Sequence, residues 1–239
     1  MIAHTGLVQP AWVSPANGRS LLFKGGDSIL VELLTDSPLA LWTMQDDAGY
    51  PQDRSGNSRH LTSGTGTAQA AAIGCAARSY DYGSAGHEIA DAAWMDTTTI
   101  TVEALVVADA LSGVFQIVCR DTGGGGGRIF QFRCNNSKVE AIPFTSGTPR
   151  TLAGATALST GTAYALAWTH DGDVSRLYVN GVLDGTGGSI GALDTGNSQI
   201  QVAIGQGAPW DGRMAYVGVY PTALNAARLA AHAAAFGVA

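Results

Sequence analysis

The sequence predicts an all-β protein built as a two-sheet antiparallel sandwich, and three observations carry that prediction. About ten short apolar runs recur along the chain, and the clearest, Ile100-Thr101-Val102-Glu103-Ala104, alternates with a period of two. Glycine-bearing turn dipeptides such as Asp171-Gly172 and Asn180-Gly181 separate the runs. Helical spacing occurs only near the two ends, around Leu30 and Leu229.

The 239 residues fit one unit, because sandwiches often reach ~200–250 residues as a single domain. A hydrophobic fraction of 46% against 13% charged residues gives a continuous core and excludes a disordered chain. Glycine, at 32 residues, is about twice the ~7% background and falls between the apolar runs.

Residues 1–26 read as an extended arm. Pro10, Pro15, Gly18, Gly25 and Gly26 break any period there. A short helix follows, with Asp27 or Ser28 as N-cap, Leu30, Leu33 and Leu34 at helical spacing, and a stop before Pro38. Strands are then predicted at 39–44, 78–82, 100–104, 114–119, 129–134, 138–143, 163–169, 174–180, 200–204 and 213–220. Gly123 to Gly127 is a flexible hairpin loop, since a phosphate cradle needs a following helix and a lysine. Asn180-Gly181 suits a type I′ turn. Pro221 ends the last strand, and Asn225 caps a helix from about Ala226 to Ala235. Leu224 and Leu229 form its staple, and Gly237 its stop. Trp42, Ile100, Val102, Leu177, Val179, Ile200, Val202 and Ile204 lie on the apolar phase of their strands and should fill the inter-sheet core.

Charge narrows the partners. A net charge of −6 with 13 scattered Lys and Arg residues argues against nucleic acid, which needs a clustered basic surface. No apolar run reaches the ~18 residues of a membrane span, so no membrane insertion is expected. Residues 1–11 lack the basic and apolar regions of a secretory signal. Cys75, Cys119 and Cys134 match neither zinc spacing nor a disulfide framework and are expected as small buried hydrophobes, in keeping with synthesis in a reducing cytosol.

Several segments read together resemble the LamG-like jelly-roll family, the laminin-G/concanavalin A-like sandwich. Leu34-Thr35-Asp36-Ser37-Pro38-Leu39-Ala40-Leu41-Trp42 is similar to its opening, and Asp53-Arg54-Ser55-Gly56-Asn57 to its Asp-x-Ser-Gly-Asn loop. Thr101-Val102-Glu103-Ala104, the stretch from His170-Asp171-Gly172 to Leu177-Tyr178-Val179-Asn180-Gly181, and the exit from Trp210-Asp211-Gly212 to Ala223-Leu224 follow in the family's order. The resemblance spans about residues 28–236 and implies a jelly-roll domain over 27–239. Its opening resembles copies frequent in tailed-bacteriophage virion proteins. Two departures, Met214-Ala215-Tyr216 and Ala163-Tyr164-Ala165, stand where many members carry an acidic residue and a Trp-His pair.

Sandwiches of this shape include glycoside hydrolases, which need two carboxylates ~5–5.5 Å apart when they retain configuration. Glutamate occurs only at 32, 88, 103 and 140, never with a partner carboxylate at strand spacing, and Glu103 is expected on a solvated strand face. Ser84 and His87 share a glycine-rich loop without an orienting acid, so no catalytic residue is assigned. His60 and His170 are expected as surface or turn residues. For metal, Asp53 and Asn57 offer oxygens to a calcium ion, with Asp46 or Asp47 approaching. The preferred alternative makes them caps of a tight turn; no cofactor is then required, a structural calcium being the other choice. For glycan binding, Trp210 with Asp211 is the best-placed exposed aromatic candidate, whereas Trp42, Trp168 and Tyr178 belong to the core.

The resulting expectation is a non-enzymatic structural and recognition protein of a tailed-phage virion, a minor tail protein or capsid decoration. It would be present in several copies and would display a lectin-like sandwich toward host-surface glycans. Leu7, Val8, Trp12, Val13 and Phe23 of the arm would dock on other virion proteins, being too apolar for a solvated tail and too broken for a helix. The competing class is a stand-alone calcium-dependent carbohydrate-binding lectin module.

Overall fold

The computed structural model describes residues 27–46, 49–69, 75–81, 86–123 and 127–238. The arm, with its docking candidates Leu7, Val8, Trp12, Val13 and Phe23, lies outside the described residues, as do Asp47, Ser84 and the middle of the 123–127 glycine run.

Two antiparallel sheets face each other, as the alternating runs require. The first holds β1 (Ala40–Thr43), β3 (Thr67–Gln69), β4 (Ala77–Tyr80), β6 (Ile100–Ala108), β12 (Ala163–His170), β13 (Val174–Val179), β14 (Val182–Ser189) and β16 (Gly212–Tyr220). The second holds β2 (Ser63–Gly64), β5 (His87–Ile89), β7 (Val114–Asp121), β8 (Arg128–Asn135), β9 (Lys138–Thr145), β10 (Thr148–Pro149), β11 (Leu152–Ala153) and β15 (Ile200–Val202). The first sheet runs β14-β13-β12-β6-β16-β4-β3, with β1 also on β16. The second runs β10-β9-β8-β7-β15-β5-β2, with β11 also on β9.

Alternation dictates the core. Trp42, Val102, Val106, Leu166, Trp168, Leu177 and Val219 from the first sheet meet Ile117, Phe130, Phe132, Val139 and Val202 from the second in one buried cluster. An aromatic contact adds to area burial: Phe130 and Trp168 lie 5.2 Å apart with their rings tilted, within the range of favourable aromatic pairs. Of the eight expected core residues, seven belong to this cluster. Ile204 does not, because β15 ends at Val202 and Ala203, at φ 60°, turns the chain so that Ala203 itself faces the core.

The turns follow local chemistry. Asn180 (φ 51°) and Gly181 (φ 75°) take the left-handed values of a type I′ turn between β13 and β14. Gly181 is also required sterically, since a Cβ there would stand 2.5 Å from Ala230 Cα.

Helix α1 (Asp27–Leu34) and helix α2 (Ala226–Phe236) pack on the outer face of the first sheet. Asn225 caps α2 by accepting from Arg228 N at 3.0 Å, and Gly237 ends it at φ 75°. Leu224 and Leu229 share one cluster with Tyr178 and Tyr220, which is the expected staple. This covering corrects one expectation. Glu103 is buried rather than solvated, because its strand face lies under α2 and every residue of β6 is buried.

Candidate functional site

With the helices on the first sheet, the outer face of the second is the broad surface that no described helix covers. Period-two alternation decides what it presents. Phe130, Phe132 and Cys134 point into the core, so Gln131 and Arg133 point outward. Register extends this into rows. Glu88 stands opposite Gln201, Gln201 opposite Cys119, Cys119 opposite Gln131 and Gln131 opposite Ile142. A second row sets Gln116 beside Arg133 and Arg133 beside Glu140.

These side chains hold one another. Gln116 Nε2 and Arg133 Nη1 both donate to Gln131 Oε1, at 3.1 and 2.8 Å. Gln131 Nε2 donates to Asp121 Oδ2 at 2.6 Å, and Arg128 Nε reaches both Asp121 oxygens at 3.2 Å. Arg133 Nε donates to Glu140 Oε2 at 2.6 Å. Gln199 donates to Glu88. The Arg128 guanidinium lies 4.5 Å over the Phe144 ring with a side chain 43% exposed, so it is both pinned and accessible. Burial first, and then Asp121, push the Cys119 thiol up to about 12, leaving it neutral beneath this face. At one end Gly205 crosses the row; a Cβ there would meet Cys119 Sγ at 2.9 Å. The result is a rigid lattice of amides, guanidinia and carboxylates, most of it buried: Gln116, Cys119, Asp121, Gln131 and Glu140 lie beneath, and Arg128 with the partly exposed Arg133 and Gln201 forms its accessible edge.

The residues singled out in sequence have other work. Asp53 Oδ1 accepts from Leu41 N at 3.0 Å and Ser55 N at 2.8 Å, and Oδ2 from Ser55 Oγ at 2.8 Å and Arg59 N at 2.9 Å. All four lone-pair positions of the carboxylate are taken. Asn57 Nδ2 donates to Pro38 O, Leu39 O and Ser55 Oγ, and Asp46 holds Gln52 N and Arg54 Nη2. Asp53 and Asn57 therefore close a turn against β1. Thermal melts in EDTA and in excess calcium should coincide; a large upward shift with calcium would show that the ion displaces these donors.

Trp210, expected to be exposed, is fully buried in the inter-sheet core, its backbone N–H held by Ala203 O at 2.9 Å. Asp211 beside it is half-buried. Burial, then Asp109 and Asp81, raise its carboxyl above the usual range. His170 is likewise buried rather than on a turn surface, its Nδ1 3.1 Å from Ser175 Oγ. His60 Nδ1 accepts from Asp53 N at 3.0 Å. His87 opens β5 and is buried; burial lowers its pKa to about 4. Among the described residues, no group of three His, Cys, Asp or Glu side chains could hold a metal.

A buried polar network was not legible as such. His232 on α2 places Nδ1 3.0 Å from Glu103 Oε2 and Nε2 2.9 Å from Asp36 Oδ2. Tyr220 donates to Glu103 Oε1 at 2.6 Å, and Arg228 pairs with Asp36 at 2.6 Å and Glu32 at 2.7 Å. The network fastens both helices to the sheet. Its sequence signal was a histidine within the apolar phase of a terminal helix that had to lie on a strand face carrying a glutamate.

Comparison with known proteins agrees with this architecture. A laminin G-type family model, described as the concanavalin A-like lectin/glucanases superfamily, matches residues 81–230. The chain belongs to that superfamily. No curated protein matches it in sequence. Among solved structures, the binding domain of Paraclostridial Mosquitocidal Protein 1 superposes with TM-score 0.67 at 13% identity, over 82% of this chain and 52% of that one. Domain 4 of AbnA, a GH43 extracellular arabinanase from Geobacillus stearothermophilus, in complex with arabinotriose, gives 0.59 at 16% identity, over 82% and 98%. Trypanosoma rangeli sialidase in complex with sialic acid gives 0.60 at 14% identity, over 81% and 32%. The superfamily member described here thus spans about half the toxin binding domain and a third of the sialidase, but nearly all of the arabinanase domain. At these identities the likeness is one of fold.

Proposed function

We propose that this domain is a non-catalytic recognition module that binds carbohydrate on the outer face of its second sheet. The observation that carries the proposal is the pre-bonded lattice of Gln131, Arg133, Glu140, Asp121 and Arg128, with the partly exposed Gln201 beside it in the same row. Its buried members Gln131, Asp121 and Glu140 hold the accessible Arg128 and Arg133 guanidinia in fixed positions, as recognition of sugar hydroxyls requires. Each of its carboxylates is tied to a guanidinium or an amide: Glu140 to Arg133, Asp121 to Arg128 and Glu88 to Gln199. No pair is left to flank a glycosidic bond as hydrolysis requires. That the arabinanase domain of the same fold was solved with arabinotriose supports this assignment. The calcium-dependent lectin alternative has no such support, since the oxygens of Asp53 already hold the turn.

The proposed setting is a tailed-phage virion, where the domain serves as a minor tail protein or capsid decoration in several copies. Residues 1–26 anchor it to other virion proteins, and the sandwich faces host-surface glycans. Support comes from the opening segment's resemblance to virion domains and from the apolar Leu7, Val8, Trp12, Val13 and Phe23 in a segment broken by proline and glycine. Deleting residues 1–25 tests the anchor: the domain should keep its β-type circular dichroism and fail to join particles. Normal incorporation would place the docking surface on the sandwich. A glycan array probed with the full chain should show retained binding without release of reducing ends. Turnover of any bound glycan would make the protein an enzyme.

A further inference from the structure

A cavity lies away from the outer face of the second sheet and shares no residue with its polar rows. It measures about 470 Å³ and is lined by Leu34, Ser37, Pro38, Leu39, Ser55, Asn57 and Arg59. That volume falls within the ~300–1,000 Å³ typical of small-molecule pockets. Leu34, Pro38 and Leu39 supply the apolar part of the lining, and Ser37, Ser55, Asn57 and Arg59 the polar part.

Arg59 decides the chemistry. Its Nη1 donates to Leu39 O at 2.7 Å, and its guanidinium carbon lies 4.2 Å from the centroid of the Trp94 ring. These two contacts fix the plane of the fork from two directions. No carboxylate pairs with it among the described residues, in contrast to Arg54, Arg120, Arg128, Arg133, Arg176, Arg213 and Arg228. The nearest acid cannot serve, because Asp53 has spent its oxygens on Leu41 N, Ser55 N, Ser55 Oγ and Arg59's own backbone N–H. Partial burial, opposed by Asp53, lowers the Arg59 pKa, although the group stays cationic. A half-buried, oriented guanidinium with N–H groups to spare and no counter-ion is the usual means of holding a planar oxyanion by two parallel hydrogen bonds.

We propose that this cavity binds the carboxylate of a monosaccharide-sized molecule, with Arg59 gripping the anion and Leu34, Pro38 and Leu39 packing against the ligand body. Ser37 and Asn57 line the same space and set the polar edge. The site is independent of the carbohydrate face, so either can fail without the other. An acidic sugar and a simple organic acid share the recognised group.

The test is titration of the full ¹⁵N-labelled chain with D-glucuronate, D-glucose and acetate, following the Trp94 indole N–H and the Arg59 Nε–H. Glucuronate should shift both signals saturably, and glucose should not. Equal affinity for acetate would mean that the carboxylate alone is read; stronger binding of glucuronate would mean that the sugar body is read as well. Arg59→Gln should weaken binding by about tenfold or more. Should that variant lose its fold, Leu34→Trp, which adds bulk at a partly exposed wall and keeps the guanidinium, should block the same shifts. The proposal is overturned if neither carboxylate gives saturable shifts, if glucose matches glucuronate, or if binding survives in whichever variant is folded.

Discussion

Replacing His232 with alanine should destabilise the domain by ~3–5 kcal/mol, because it removes the cation from a buried ion cluster and leaves two carboxylates facing each other under α2. Both ring nitrogens of His232 lie within 3.1 Å of carboxylate oxygens, so each must donate and the imidazolium is the form that satisfies the site. Burial works against that charge, but the hydrogen bonds and charges of Glu103 and then Asp36 outweigh it and raise the pKa. The charged and titratable neighbours are Glu103 of β6, Tyr220 of β16, Asp36 and Glu32 from the α1 segment, and Arg228 of α2 itself. Because the folded pKa lies above the unfolded one, the stabilisation is fully present below ~6.5 and is lost as pH rises through the folded value. Asp36 behaves oppositely. Burial works to raise its pKa, but Arg228 and then His232 lower it, so its contribution is present above ~3.9 and lost as pH falls through the folded value. Urea unfolding of wild type should therefore show stability falling on the alkaline side, and His232→Ala should be weaker throughout and flat there. A variant as stable as wild type, or one that keeps the alkaline slope, would contradict the network.

Arg120→Ala should cost a similar ~3–5 kcal/mol, because it too removes a buried cation that faces two carboxylates. Only 1% of the Arg120 side chain is exposed, and its fork reaches Ser198 O at 3.0 Å, Met95 O at 2.8 Å and Gly196 O at 2.7 Å. It also meets Asp91 at 2.8 Å and Asp96 at 2.9 Å. One guanidinium thus ties β7 to the turn at 93–95 and to the loop before β15. Truncation orphans buried carbonyls as well as breaking ion pairs. Thermal melts should show a large drop in midpoint with the β-type circular dichroism retained at low temperature. A change within experimental scatter would mean that the loops hold themselves.

The features legible in sequence were those set by nearest neighbours. Asn180-Gly181, Asn225 and Gly237 each act through their own backbone angles or through bonds a few residues away, and they stand where the sequence put them. Long strands with an apolar phase, such as β6, β12 and β16, were likewise plain. The short β2, β3, β5, β10 and β11 were not, because two or three residues carry no period. Strand β14, Val-Leu-Asp-Gly-Thr-Gly-Gly-Ser, is held by pairing with β13 rather than by burial of its own face.

The polar sites were hidden for a different reason. Whether Glu103 meets water or His232 depends on which sheet the helices cover, and no local pattern records that. Trp210 was misplaced because a tryptophan next to Asp-Gly reads as a loop, whereas the chain turns at Ala203 and folds the indole back into the core. The lattice on the second sheet is also non-local: Gln116, Gln131 and Gln201 become neighbours only through register across β7, β8 and β15.

The measurement that tests carbohydrate recognition most directly is an ¹H–¹⁵N map of the full chain with the glycan that binds best on an array. The side-chain amide of Gln201, with the Nε–H of Arg128 and Arg133, should carry the largest shifts, and Arg133→Ala should abolish them. Shifts clustered elsewhere, or an array on which no glycan is retained, would contradict the assignment of this face as the recognition surface.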